Sequence, residues 1–165
     1  MTQASLKVRF AGPLVTFQDG GRPGQMRFGV SASGPMDRLA ATAANVALGN
    51  EPGATLIEVS MGGLVLECTE GALSVAVTGG DFTVEHGSAA VPCWSILALE
   101  QGDSLSIRPG KSGSWAYLAL AGDYTRGLMS SRYTVQSRCV SLFPMIFYDV
   151  LEKQGTCQVL DRKSV

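Results

Sequence analysis

The sequence predicts a mainly β protein with a barrel-like fold and one covering helix near residues 35–48. After Asn50, short apolar segments recur about every ten residues and alternate with glycine-centred turns, which is typical of sandwiches and barrels. Hydrophobic residues make up 45% of the chain and charged residues 16%, and 20 of its 165 residues are glycine. A chain of this length can form one domain with a hydrophobic core.

The first segments predict two short strands followed by a turn. Leu6–Phe10 alternates apolar and polar residues, which indicates a half-buried strand. A second extended piece is expected over Leu14–Phe17. The run Asp19–Gly24 then predicts a turn in which several residues have positive φ.

One helix is predicted from about Pro35 to Leu48. Pro35 suits the first helical position, and Asp37 places a negative charge in the first turn, where the helix dipole favours it. Gly49 is expected to be the left-handed residue that ends the helix. The residues expected to face the core are Leu39, Ala43, Val46 and Ala47. A separate polar stripe comprises Arg38, Thr42 and Asn45.

The rest of the predicted subdomain consists of short strands. Their expected ranges are 55–60, 64–67, 73–78, 82–85, 94–99, 104–108 and 115–121. The glycines between them, as at 79–80 and 110, are interpreted as turns. Trp94 and Trp115 fall in these strands and are expected in the core. Residues 126–165 are weakly patterned, and we expect a strand pair and a frayed end there.

Charge and residue usage argue against several classes of function. The net charge is −1, so no basic field attracts nucleic acid or anionic lipid. The four cysteines are widely spaced and the chain has one histidine, so we expect no metal site. We find no signal-peptide pattern after Met1 and no apolar run of the ~20 residues that a membrane span needs. We therefore expect a cytoplasmic protein that binds neither nucleic acid nor membranes.

The polar side chains suited to chemistry are concentrated between Gly12 and Asn50. The candidate site residues are Gln18, Asp19, Arg22, Asp37, Arg38, Asn45 and Asn50. Asp19 could accept ligand hydrogen bonds while Arg22 clamps a carboxylate or phosphate, or Asp19 could cap its own turn and pair with Arg22. The helix stripe with Arg38 could line a cleft or form a solvated face. His86 is expected to be a surface turn residue, although a lone histidine can act as a general base.

Two glycine-rich motifs stand out in the first third of the chain. The first spans Gly12–Gly24 and contains Gln-Asp and Gly-Arg pairs. The second spans Gly29–Arg38, contains Ser-Gly-Pro-Met-Asp-Arg, and is followed by Ala-Asn at 44–45 and Gly-Asn at 49–50. Both resemble signatures of the biotin-dependent carboxyltransferase-like family, and shorter blocks at 58–59, 78–81, 102–103 and 117–122 extend the resemblance to Asp123.

The resemblance implies a cyclophilin-like β-barrel subdomain over residues 1–125, followed by a divergent or truncated tail over 126–165. The family includes the KipA-type subunit of bacterial 5-oxoprolinase, also called allophanate hydrolase subunit 2, and the carboxyltransferase region of urea carboxylase. By resemblance, the chain would be a subunit of an ATP-dependent 5-oxoprolinase, a hydrolase that opens the amide ring of 5-oxoproline to give glutamate. It would act with KipI-type and LamB/YcsF-type partners, and ATP would enter through the complex.

The same resemblance suggests roles for the candidate residues. The hypothesis assigns catalysis to Asp19, Arg22, Asp37 and Arg38. It assigns substrate binding to Gln18, Asn45 and Asn50. Two alternatives stay open: an inactive, truncated module with a binding or regulatory role, which could form a homodimer, or carboxyl transfer from carboxybiotin to a urea-like substrate. The chain has no Ala-Met-Lys-Met motif, so a partner would carry the biotin.

Overall fold

The computed structural model describes residues 3–124 and 156–160, which form one curled sheet with a single α-helix against it. The strands are β1 (Gln3–Ala11), β2 (Thr16–Gln18), β3 (Leu56–Ser60), β4 (Leu64–Glu70), β5 (Ala72–His86), β6 (Ala89–Val91), β7 (Ser95–Glu100), β8 (Ser104–Leu120), β9 (Asp123–Tyr124) and β10 (Thr156–Leu160). The helix α1 covers Arg38–Ala47, and a 3-10 turn covers Met26–Phe28. The predicted mainly β, barrel-like fold with one covering helix is confirmed.

The long strand β8 organises the sheet. The C-terminal half of β8 pairs with β3 and its N-terminal half pairs with β4, while β5 runs along its other edge. The sheet continues from β3 to β2, and from β4 through β1 and β10 to β9. β6 and β7 both pair with β5. The resulting sheet is curled into a half-barrel.

Alternating side chains of β8 serve two different apolar clusters. Ala116, Leu118 and Leu120 point into the main core inside the curled sheet. Tyr117 and Ala119 point to the opposite face and pack against α1. This is the two-residue period of a strand that is covered on both faces.

The helix contacts the sheet through its small residues, so the predicted core face of α1 is wrong. Its buried positions are Ala40, Ala41, Ala44 and Asn45. Leu39 is 80% exposed and Val46 is 54% exposed. None of the four residues predicted to face the core is buried: Leu39, Ala43, Val46 and Ala47. Alanine side chains let the helix backbone approach the sheet, where the Thr78 hydroxyl donates to the carbonyl oxygen of Ala40 at 2.8 Å.

The ends of the helix are set by Asp37 and Gly49. Asp37 is the N-cap residue, and its Oδ1 accepts the backbone N–H groups of Leu39 and Ala40, both at 3.0 Å. The helix therefore begins at Arg38, three residues after the predicted start at Pro35. Gly49 follows the C-cap with a φ of 73°, which confirms its predicted left-handed conformation.

Two predicted turns are instead positions within continuous strands. β5 runs through the glycines at 79–80, and β8 runs through Gly110 and Gly113. The pairing of β5 with β8 shifts register near Gly79–Asp81. A Cβ atom on Gly80 would lie 2.8 Å from the Cα atom of Gly113, so the glycines permit a close approach of the two strands.

The predictions for the tryptophans and for His86 have mixed outcomes. Trp115 is partly buried and packs against the edge of the cluster beneath α1, so its predicted core position is confirmed only in part. Trp94 lies before β7 and is 56% exposed, so its predicted core position is wrong. His86 is the partly buried last residue of β5, so its prediction as a surface turn residue is wrong, and its Nε2 lies 2.9 Å from Oδ2 of Asp103.

The tail contributes only strand β10 to the described structure. Residues 156–160 pair with β1. The remaining predictions for residues 125–155 and 161–165 lie outside the described residues. Within the described ranges, no helix is long and apolar enough to cross a membrane.

Candidate functional site

Three loop segments, around residues 19–24, 31–34 and 50–54, meet next to the helix, and glycines allow them to pack closely. The backbone N–H of Gly20 donates to Gly53 at 3.0 Å, and that of Arg22 donates to Ala32 at 2.6 Å. Gly21 has a φ of 75°, and a Cβ atom there would lie 2.5 Å from the carbonyl oxygen of Ala32. The turn predicted over Asp19–Gly24 thus has its positive φ values and joins the first motif to the second.

A cavity of about 150 Å³ lies between these loops and α1. Its polar lining residues are Gln18, Asp19, Arg38, Thr42 and Asn45. The structure therefore places the predicted polar stripe of the helix on the wall of a cleft rather than on a solvated face. Asp19 and Arg38 are the ionisable residues that line this cavity.

Asp19 both caps its own turn and lines the cavity. Its Oδ1 accepts the backbone N–H of Gly21 at 2.8 Å, as the structural interpretation of this motif predicted. The side chain is exposed, so its other oxygen can accept a ligand hydrogen bond. The neighbouring Gln18 donates from Nε2 to the hydroxyl of Thr16 at 3.0 Å.

Ser33 receives hydrogen bonds from two arginines. Nη2 of Arg22 donates to the Ser33 hydroxyl at 2.8 Å, and Nη2 of Arg38 donates to the Ser33 carbonyl oxygen at 3.3 Å. Within the described residues, the ion pairs are Arg9–Glu67 and His86–Asp103. The pairing of Arg22 with Asp19, one of the two alternatives for this motif, is therefore wrong.

The two asparagines of the candidate site hold the cavity wall together. Asn45 is fully buried, and its Nδ2 donates to the carbonyl oxygen of Ala54 at 2.8 Å. Asn50 donates to Oδ1 of Asn45 at 3.3 Å and to the carbonyl oxygen of Leu120 at 2.8 Å. Asn45 and Asn50 thus fix the loop at 50–54 to the helix and to the end of β8. Their assignment to substrate binding stays a prediction, as does the catalytic assignment of Asp37.

Two buried ionisable side chains, Glu58 and Tyr117, lie beneath the start of the helix. Neither was among the predicted site residues. Glu58 on β3 is 1% exposed and accepts the backbone N–H of Met36 at 2.7 Å. Tyr117 on β8 is the sheet partner of Glu58, and its hydroxyl oxygen accepts the backbone N–H of Asp37 at 2.6 Å. Burial raises the pKa of both side chains. The signal in the sequence was a carboxylate within the otherwise apolar run Leu56–Val59.

The curled half-barrel, its covering helix and the glycine-packed cavity define a carboxyltransferase-type domain. Residues 28–140 match the family model described as carboxyltransferase domain, subdomain A and B. The chain belongs to this family, which confirms the resemblance carried by the two glycine-rich motifs.

Named relatives and solved structures agree with this placement. The chain is similar to the C-type subunit of 5-oxoprolinase from Haemophilus influenzae, with 34% identity over 66% of this chain and 35% of that one. It is 35% identical to the C-type subunit of the Escherichia coli 5-oxoprolinase over 71% of this chain and 37% of that one. The structure of Kluyveromyces lactis urea carboxylase superposes with a TM-score of 0.69 and 29% identity, over 75% of this chain and 11% of that chain. The chain thus spans about a third of the length of these 5-oxoprolinase relatives.

Proposed function

We propose that this chain contributes part of a subunit to an ATP-dependent 5-oxoprolinase, which opens the lactam of 5-oxoproline to give glutamate. The relatives named as 5-oxoprolinase subunits support this assignment, and that naming implies a complex of several chains. The partners we propose are a KipI-type and a LamB/YcsF-type subunit.

The observation that carries the proposal is the presence of Asp19 and Arg38 together on the wall of one small cavity. An amide presents a carbonyl acceptor and an N–H donor close together. Arg38 can donate to the carbonyl oxygen, and Asp19 can accept from the N–H. The cavity is therefore chemically complementary to an amide or a urea.

The same two groups suit the chemistry of ring opening. Water adds to the lactam carbonyl carbon, the C–N bond breaks, and the water proton goes to the leaving nitrogen. Arg38 would stabilise the negative charge that develops on the carbonyl oxygen. Asp19 would take the proton from the water and return it to the nitrogen. Asp37 does not line the cavity, so the proposal gives proton transfer to Asp19.

The size of the cavity limits what it can hold. Its volume of about 150 Å³ is below the roughly 300–1,000 Å³ of pockets for drug-sized ligands. A small lactam or urea suits this space. The proposal places ATP binding on one of the partners, so that ATP enters through the assembled complex.

The test is glutamate formation by a complex reconstituted from this chain and its cognate partners. We expect Asp19→Asn to lower kcat about 10²- to 10⁴-fold and Arg38→Gln to lower it about 10²- to 10³-fold. Arg27→Gln is the matched control, because Arg27 is an exposed arginine that stacks on Phe28 at 4.6 Å and does not line the cavity. Unchanged glutamate formation by Asp19→Asn would overturn the proposed role.

Carboxyl transfer to a urea-like substrate is the second candidate. The likeness to the Kluyveromyces lactis urea carboxylase structure favours it, because the cavity complements a ureido group as well as an amide. Gln18, Asp19 and Arg38 would then hold the ureido ring of a biotin carried by a partner. Urea-dependent ATP hydrolysis that avidin inhibits would support this function. A stable complex that turns over neither 5-oxoproline nor urea would instead support the alternative of an inactive module with a binding or regulatory role.

A further inference from the structure

Two guanidinium groups, those of Arg22 and Arg38, hydrogen-bond to the same residue, Ser33. Its hydroxyl accepts from Arg22 at 2.8 Å and its carbonyl oxygen accepts from Arg38 at 3.3 Å. Ser33 has a φ of 52°, a conformation that serine seldom adopts. The Ser31 hydroxyl lies 3.1 Å from that of Ser33 and extends this hydrogen-bonded cluster.

The two arginines have no acidic partner among the described residues. The ion pairs there use Arg9 and His86 as the cationic members. Both Arg22 and Arg38 are exposed, and each guanidinium carries five N–H donors, most of which stay free after one bond to Ser33. Two like charges held at one residue repel each other, and a bound anion between them removes that repulsion. Paired arginines are well suited to planar carboxylates, because each offers a two-point donor fork.

Arg38 connects this cluster to the cavity, since it both lines the cavity and contacts Ser33. A ligand whose amide lies against Arg38 and Asp19 can therefore extend a substituent toward Arg22. We propose that Arg22 and Arg38, tethered by Ser33, bind the carboxylate of a small amide acid whose amide group occupies the cavity. This inference rests on the proposed function for the amide end, and it adds Arg22, which does not line the cavity, as a residue that selects for the carboxylate of the substrate.

Binding measurements on the full chain test this carboxylate clamp, formed by Arg22 and Arg38, without turnover. The probes are 5-oxoproline, 2-pyrrolidinone, which is the same lactam without the carboxylate, and tetrahydrofuran-2-carboxylate, which keeps the carboxylate without the amide. We expect Arg22→Gln to weaken binding of both carboxylates about ten-fold and to leave 2-pyrrolidinone unchanged, as followed by NMR titration. Arg27→Gln should leave all three affinities unchanged. Equal loss for all three probes in Arg22→Gln, or no loss for either carboxylate, would overturn the clamp.

Kinetics of the reconstituted complex separate this inference from the proposed function. The expected result for Arg22→Gln is a KM for 5-oxoproline raised about ten-fold with kcat little changed. Turnover of 5-oxoproline with an unchanged KM in Arg22→Gln would keep the proposed function and overturn the clamp. Arg22-dependent carboxylate binding by a complex that does not open lactams would keep the clamp and overturn the proposed function.

Discussion

Glu58 and Tyr117 are register partners on β3 and β8, and their side chains accept the backbone N–H groups of Met36 at 2.7 Å and Asp37 at 2.6 Å, respectively. Both side chains are buried beneath the segment that leads into α1. Arg38, the first residue of that helix, lines the cavity. The buried pair therefore fixes the backbone next to the arginine on which the proposed chemistry depends.

Removing the Tyr117 hydroxyl should destabilise the protein. Tyr117→Phe leaves the N–H of Asp37, beneath the start of α1, without its acceptor. We expect the free energy of unfolding to fall by about 1–3 kcal/mol, as measured by urea denaturation. Thr83→Val, at an exposed position of β5, serves as the control and should change stability by about 0.5 kcal/mol or less. Equal stability of Tyr117→Phe and wild type would show that the hydrogen bond does not hold this segment.

Glu58 should give stability a distinctive pH dependence. Burial raises its pKa in the folded state, whereas an unfolded glutamate titrates at about 4.3. Between these two values the folded state holds more protons than the unfolded state, so the contribution of Glu58 to stability is present at low pH and declines as the pH rises. We expect the stability of wild type relative to Glu58→Gln to be greatest in acid and to fall with rising pH.

Urea denaturation of both chains from about pH 4 to pH 8 measures this difference. Glu67 and Asp103 have lowered pKa values, but both residues are present in wild type and in Glu58→Gln. Their contributions to the pH dependence of stability therefore largely cancel in the difference. If the stability of wild type relative to Glu58→Gln stayed constant or grew with pH, it would contradict a buried environment that disfavours the charged form of Glu58.

A comparison of two glycines tests whether the motif loops must pack closely. Gly21 and Gly24 have φ values of 75° and 78°, but only at Gly21 would a Cβ atom meet neighbouring backbone within 4 Å. Both alanine variants should lose about 1 kcal/mol from the positive φ. Gly21→Ala should lose about 1–3 kcal/mol more, because the loops must separate. Equal losses in thermal or urea unfolding would show that the contact with the second motif is not tight.

Asn45 should be a structural residue of the cavity wall. Asn45→Ala leaves the carbonyl oxygen of Ala54 without its donor and removes one of the two acceptors of the Asn50 amide. We expect stability to fall by about 1–3 kcal/mol. Val46→Ala on the exposed side of the same helix is the control and should have a much smaller effect. If Asn45→Ala unfolds like wild type but binds 5-oxoproline more weakly, the substrate-binding assignment replaces the structural one.

Local sequence patterns predicted much of the fold, and they failed where tertiary packing decides. The strand pattern and the left-handed Gly49 follow from local preferences, and both were predicted. The orientation of α1 was predicted wrongly, because hydrophobicity favoured Leu39 and Val46 as core residues. The sheet instead selects alanines, which allow close backbone approach. Glycines also predicted turns at 79–80, although they mark positions where two long strands nearly touch.

The candidate site shows the same division. Motif residues Gln18, Asp19 and Arg38 were predicted and do line one cavity. Glu58 and Tyr117 were not predicted as site residues, because they lie on strands that are far apart in the sequence and meet only in the folded sheet. Ser33 was missed because a serine in a loop carries no signal by itself. Its role depends on two arginines that reach it from different segments.

The most direct test of an amide site in this chain is 5-oxoproline-dependent ATP hydrolysis by the cognate partners, measured with and without the chain. We expect the chain to stimulate ATP hydrolysis and Asp19→Asn to assemble with the partners but stimulate little. Stimulation that Asp19→Asn abolishes would place a working amide site in the cavity between the glycine-rich loops and α1. A stable complex without stimulation, or full stimulation by Asp19→Asn, would contradict it.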